Sequence, residues 1–129
     1  MRSFAAILLA GFVAASAAHS ESAGDWYGEE YQACRDGNTR DIVMCIDKVV
    51  KAWDARVDAV YKKLVGMTAE KDRRDALKAS QALWLKFRDA NCKWHDAGEG
   101  TIRRLEAGEC MRSLTAVRAL ELEAETETH

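Results

Sequence analysis

"SQALWLKFRDANC", residues 80–92, decides how this chain folds. Gln81, Leu85, Arg88 and Cys92 recur every three or four residues, so they share one side of a helix, with Trp84 beside them. A strand would need strict alternation of apolar and polar residues, and that pattern is absent. A large aromatic, a cation and a cysteine on one helix face need a common reason. The cysteine supplies it: if Cys92 is to reach another cysteine on a neighbouring helix, Gln81 and Arg88 turn inward with it. Their polar heads then require partners, since an unpaired buried guanidinium is costly, and Asp47, Asp54 and Glu109 are the candidates.

Working outward, the helix that carries this stretch spans about residues 69–94. Its inward arc contains Ala76, Leu77, Ser80, Leu83, Trp84, Phe87 and Trp94 and extends round to the Gln81 line. Lys71, Asp75, Lys78, Lys86, Asp89 and Lys93 fall on the other side. Upstream, Asn38 or Thr39 caps a helix with Asp41 in its first turn. Ile42, Ile46, Val49, Trp53, Val57, Val60 and Leu64 then form an apolar stripe. Gly66 is expected to end that helix and Thr68 to restart the chain, with Glu70 near the next helix start. So short a turn predicts antiparallel neighbours. Downstream, "DAGEGT" breaks the chain, and Thr101 or Gly100 opens a third helix through Ile102, Leu105, Cys110, Leu114, Val117 and Leu120, notched at Gly108. "GDWYGEEYQACRDGN" (24–38) holds one short helical turn near residues 27–34. With no proline in the chain, the expected fold is all-α: a small antiparallel bundle of three main helices plus a short N-terminal helical turn, stapled by two disulfides.

The start of the chain reads as an export signal. Arg2 precedes an uncharged stretch over residues 4–15, followed by the small residues of "ASAAHS". That run is too short to span a membrane. A leader over residues 1–20 is expected to be cleaved, leaving an N-terminal segment (21–40), a helical domain (41–122) joined to Cys34, and an acidic tail (123–129) that frays. No cysteine lies at the cut, so no lipid anchor is expected, and the product is periplasmic or secreted. The 129 residues carry a formal charge of −2; loss of Arg2 with the leader makes it about −3. Acids alternate with bases in "KDRRD" and "DKVVKAWD", the pattern of a solvated helix face, and nucleic acid is not an expected partner.

Four cysteines, Cys34, Cys45, Cys92 and Cys110, in an exported chain imply two disulfides. Of the three connectivities, Cys34–Cys45 with Cys92–Cys110 closes the shortest loops, while crossed pairs remain physically allowed. A metal site built from Cys92, His95 and Cys110 would need its thiolates to escape oxidation, and no second spaced pair completes it; no metal and no cofactor are expected.

The pieces together resemble the lysozyme inhibitor LprI family of small exported bacterial proteins. "SQALWLKFRDANC" is similar to its glutamine, tryptophan, arginine and cysteine signature, and "WDARVDAVYKKL" to its aspartate and tyrosine helix. "GEGT", Cys110 and "LTAVRALEL" are similar to its closing turn and helix. Val57 and Asp58 depart from the usual Leu and Asn, and "GEGT" from a Gly-Gly-Ser type turn. The likeness runs from Cys34 to about Leu122. It implies a scaffold role for Trp53, Asp54, Tyr61, Gln81, Trp84, Arg88 and Arg118, and lysozyme or another peptidoglycan hydrolase as partner.

No catalytic constellation accompanies these motifs. His19 sits at the leader's edge, His129 ends the chain, and pairing of the cysteines removes the thiol nucleophiles. Glu29 and Glu30 lie in a surface-like stretch. An enzyme is therefore not expected. "KWHDAGEGT" (93–101), closed by a disulfide, has the form of a preorganised loop that could fill the carboxylate-lined cleft of a lysozyme. Trp94, His95, Asp96 and Glu99 are its candidate contacts, although spacing groups Trp94 with Phe87 and Leu83 in the core. The alternative is an envelope structural or chaperone-like interaction module, using helical faces with Trp26, Tyr27 and Tyr31 and having no effect on lysozyme.

Overall fold

The computed structural model describes residues 23–128; the expected leader and His129 lie outside the described residues. Helices α1 (Glu29–Cys34), α2 (Thr39–Met67), α3 (Lys71–Asp96) and α4 (Ile102–Glu127) follow one another, with no strand among the described residues. The all-α expectation holds, and the disulfides are the short-loop pair: Cys34–Cys45 and Cys92–Cys110, with Cα separations of 5.5 and 5.4 Å. Asn38 caps α2 in a reciprocal box with Asp41. The turn before it needs Gly37 at φ +111°, where a Cβ would meet the Asp41 side chain at 2.9 Å.

The last helix is the central one. Ile46 lies against Gly108, and Arg56 binds Glu123, so α2 runs parallel to α4. Cys92–Cys110 and Gln81–Arg118 make α3 antiparallel to it. The sequence expectation of antiparallel α2 and α3 is right in direction, but the two touch each other sparsely and pack mainly through α4. The apolar core joins Trp53, Val57, Val60 and Leu64 of α2 to Ala116, Ala119 and Leu122 of α4; a second cluster gathers Cys34, Ile46 and Val50. A Cβ at Gly108 would stand 3.2 Å from Ile46 Cγ2, so the expected notch is a place where α2 packs closely on α4.

Two faces differ from expectation. On α3, Leu83, Phe87 and Trp94 point to solvent, at 65, 57 and 72 % exposure, and Ala76, Ser80 and Leu85 are exposed as well. Gln81, Arg88 and Cys92 are buried, with Leu77 and Trp84 half-buried alongside. A covalent bond and charge-assisted hydrogen bonds to α4 fix the rotation of α3, and the apolar residues roughly 120–160° round the helix are left outside. On α4, Ile102, Val117 and Leu120 are exposed, while Glu109, Arg112, Ser113, Thr115 and Arg118 are buried. Flanked by α2, α3 and the N-terminal segment, α4 is covered on more than one stripe, and small residues such as Ala116 and Ala119 let its neighbours come close. Gly66 lies inside α2, which ends at Met67, where the Thr68 hydroxyl donates to the Leu64 carbonyl (2.8 Å). The acidic residues 123–127 continue α4, and Glu123 takes a two-pronged ion pair from Arg56.

The opening stretch thereby finds its reason. Arg88 donates to Asp54 (2.6 Å) and Thr115 (3.2 Å) and sits over the Trp84 ring at 5.0 Å. Arg118 donates to Gln81 (3.0 Å) and approaches the same ring at 5.8 Å. The α3–α4 contact is thus a saturated polar seam closed by a disulfide. Of the partners named for Arg88, Asp54 is the one used. Asp47 pairs with Lys51, and Glu109 with Arg112.

Candidate functional site

The site is built at the end of the bundle where the disulfides cluster. Residues 97–101 join α3 to α4, and the Cys92–Cys110 bond ties the helices on either side. Backbone bonds from Ala97 to Lys93 and from Gly98 to His95 close α3. Gly100 makes the reversal at φ +71°. Arg103 Nη1 donates to both the carbonyl and the carboxylate of Asp96, each at 2.8 Å.

The N-terminal segment is brought to the same end by a buried ion network. Arg112 and Glu109 are 1 and 0 % exposed. All five guanidinium N–H groups have acceptors: Glu109 takes two in a bidentate pair, and Glu30 and the carbonyls of Ala23 and Asp25 take the rest. Burial opposes the charge on Arg112, but its hydrogen bonds to Glu109 and Glu30 outweigh it and hold the guanidinium above its ordinary pKa. Ser113 donates to the Gly24 carbonyl, and Trp53 Nε1 donates to Glu30 at 2.9 Å. Glu109 also accepts from the backbone N–H of Tyr27 at 2.8 Å. Tyr27 sits at φ +55°, a left-handed conformation that a bulky residue adopts only when its surroundings impose it.

This strap lays an aromatic row across the end of α3. Trp94 and His95 ring centroids are 4.7 Å apart, His95 and Trp26 5.1 Å, Trp26 and Tyr27 6.0 Å, and Tyr27 and Tyr31 4.7 Å. Trp94, Trp26 and Tyr27 are exposed, and His95 is half-buried between the two indoles. Burial first, then Glu106, Tyr31 and Glu109, push the Tyr27 hydroxyl above its usual pKa. Trp94, His95, Ala97, Gly98 and Glu106 line a small cavity of about 240 Å³. A wider trough of about 700 Å³ runs between α2 and α3 over α4, but its lining mixes Asp47, Asp89 and Asp96 with Lys93, Arg103 and Arg104 and converges on no single chemistry.

Among the candidate loop residues, Trp94 therefore stands on the surface and not in the core. His95 is stacked, Asp96 is engaged by Arg103, and Glu99 is exposed at the turn. Among the scaffold candidates, Trp53, Gln81, Arg88 and Arg118 are buried, Trp84 and Tyr61 are half-buried against the core, and Asp54 holds Arg88. Glu106, Trp26 as a neighbour of His95, and the Glu30–Arg112–Glu109 hub were not among the candidate residues. Only the Glu109–Arg112 spacing, three residues apart and straddling Cys110, signals any of this in the sequence. No group of three or more His, Cys, Asp or Glu among the described residues is placed to hold a metal ion. No described helix is long and apolar enough to cross a membrane.

The family model for the lysozyme inhibitor LprI matches residues 30–122. The chain belongs to the LprI family. The match takes in the disulfides, the α3–α4 seam and the loop with Trp94, His95 and Glu106; the strap residues Trp26 and Tyr27 precede it. This chain is also similar to the uncharacterised protein R02472 of Rhizobium meliloti (strain 1021). The two are 26 % identical over 96 residues, covering 64 % of this chain and 69 % of that protein. No solved structure matches.

Proposed function

We propose that this protein is exported and inhibits a lysozyme or related peptidoglycan hydrolase by pressing its stapled aromatic end into the enzyme's cleft. The observation that carries the reading is the exposure of Trp94, 72 %, at the end of a disulfide-tied helix. An indole left in water at a rigid position, beside Trp26 and His95, is the anchor a target surface uses, and the staple reduces the ordering cost of binding. Membership in a family of lysozyme inhibitors and a formal charge of −2 agree with a basic partner. His95 and Glu99 are the polar contacts of the loop in this reading, and Asp96 supports it from behind through Arg103. The test is lysis of bacterial cell walls by several lysozymes, with and without excess oxidised protein. Trp94→Ala and His95→Ala should weaken inhibition without changing the fold, and reduction of the disulfides should abolish it. Equal inhibition by Trp94→Ala would remove this end from the mechanism.

A second reading is favoured by a separate observation, the solvent-facing Leu83 and Phe87 on α3. An apolar flank of this kind suits an envelope interaction module. Its discriminating result is co-purification with an envelope protein, lost in Leu83→Ser/Phe87→Ser, together with no inhibition of any lysozyme.

A further inference from the structure

Glu106 is half-buried and has no ion-pair partner among the described residues. It shares the small cavity with Trp94, Ala97 and Gly98, just beyond the C-terminal end of α3. Each of these attracts a cation: the carboxylate by charge, the indole face by its quadrupole, and the helix end by its dipole. The nearby cation Arg103 is held on Asp96, and His95 is the one ionisable base lining the cavity. A cavity with this character is complementary to a positive side chain supplied from outside.

We propose that the cavity receives an arginine side chain of the inhibited hydrolase, its guanidinium stacked on Trp94 and paired with Glu106. This rests on the inhibitor reading and adds the chemical identity of what the site grips. Arginine fits better than lysine because a planar guanidinium stacks on an indole and presents parallel N–H groups to a carboxylate, whereas an ammonium is a compact, strongly hydrated point charge. The acidic chain and the basic character common among lysozymes give the same sign to the long-range attraction.

The oxidised protein is titrated with N-acetyl-arginine amide, and the Trp94 indole and Gly98 amide signals are followed by NMR. N-acetyl-citrulline amide, of nearly the same shape without the charge, is the control. Saturable shifts with arginine, absent with citrulline and absent in Glu106→Gln, are expected. In the lysis assay Glu106→Gln should weaken inhibition about tenfold or more, with Glu106→Asp retaining part of it. Shifts that citrulline reproduces, or that survive Glu106→Gln, overturn the cation site. If the parent and Glu106→Gln inhibit equally and arginine moves nothing, this proposal fails while the inhibitor reading stands. If arginine binds through Glu106 but no lysozyme is inhibited, the inhibitor reading fails and takes with it the assignment of the arginine to a hydrolase.

Discussion

Replacing Arg112 with methionine tests how the N-terminal strap is held. The guanidinium is 1 % exposed and all its donors are used, so the substitution breaks a buried network and leaves Glu109, 0 % exposed, without its cation. Glu30 suffers less, because it is partly exposed and keeps the Trp53 indole N–H. The freed carbonyls of Ala23 and Asp25 can return to water if the strap lifts, which limits the loss to about 3–4 kcal/mol, within the range for one-sided disruption of a buried pair. For a domain of this size that corresponds to a fall in Tm of roughly 15–25 °C, read by far-UV circular dichroism on the oxidised protein. Adding Glu109→Gln to Arg112→Met should recover about 1–2 kcal/mol by removing the orphaned charge, although the Tyr27 N–H then loses a charged acceptor. A single variant that melts within about 5 °C of the parent, or a double variant less stable than the single one, would refute the account of the hub.

Further outcomes follow from other contacts. Arg88→Ala should cost about 2 kcal/mol, less than Arg112→Met, because its partner Asp54 is 43 % exposed and can rehydrate; equal losses in the two variants would contradict this ordering. Phe87→Ser and Leu83→Ser should each change stability by no more than about 0.5 kcal/mol in chemical denaturation, whereas a core position would lose several times that. Gly108→Ala should be near neutral, its gain of about 1 kcal/mol in helix propensity offset by crowding against Ile46, while Gly108→Val should destabilise by about 2 kcal/mol or more. Tyr27, whose folded pKa is raised, contributes stability that is present below the ordinary tyrosine pKa of 10.0 and is lost as pH rises through the folded value. A spectrophotometric titration should therefore show a late-ionising step that Tyr27→Phe removes, together with the associated alkaline loss of stability.

Helix α2 was legible because its inward face meets apolar neighbours, and the stripe from Ile46 to Leu64 has the period of a single buried face. Helix α3 was legible in extent but not in rotation. Hydrophobicity alone turns Leu83, Phe87 and Trp94 inward, yet the Cys92 bond and the Arg88 and Gln81 contacts act on specific atoms and outweigh a non-directional preference. For α4 a stripe was the wrong template, since a helix covered from several sides reads as small and charged residues whose partners are far away in sequence. The same distance hid the site's composition. The loop from Trp94 to Glu99 announced itself by its glycines and flanking cysteines, but Trp26 is brought to it by the contacts of Arg112, Ser113 and Glu109 with residues 23–30.

The placement of α4 also sets an order of assembly. Helices α2 and α3 touch each other sparsely, so a chain emerging with its N-terminus first has little to bury until residues 105–122 arrive. Folding then waits for the last element to be made, which keeps the growing chain threadable during synthesis or passage through a narrow pore. A fragment ending at residue 101 should accordingly show only weak helicity and no cooperative melting, and a sharp transition in that fragment would show that the first helices stand without the one between them.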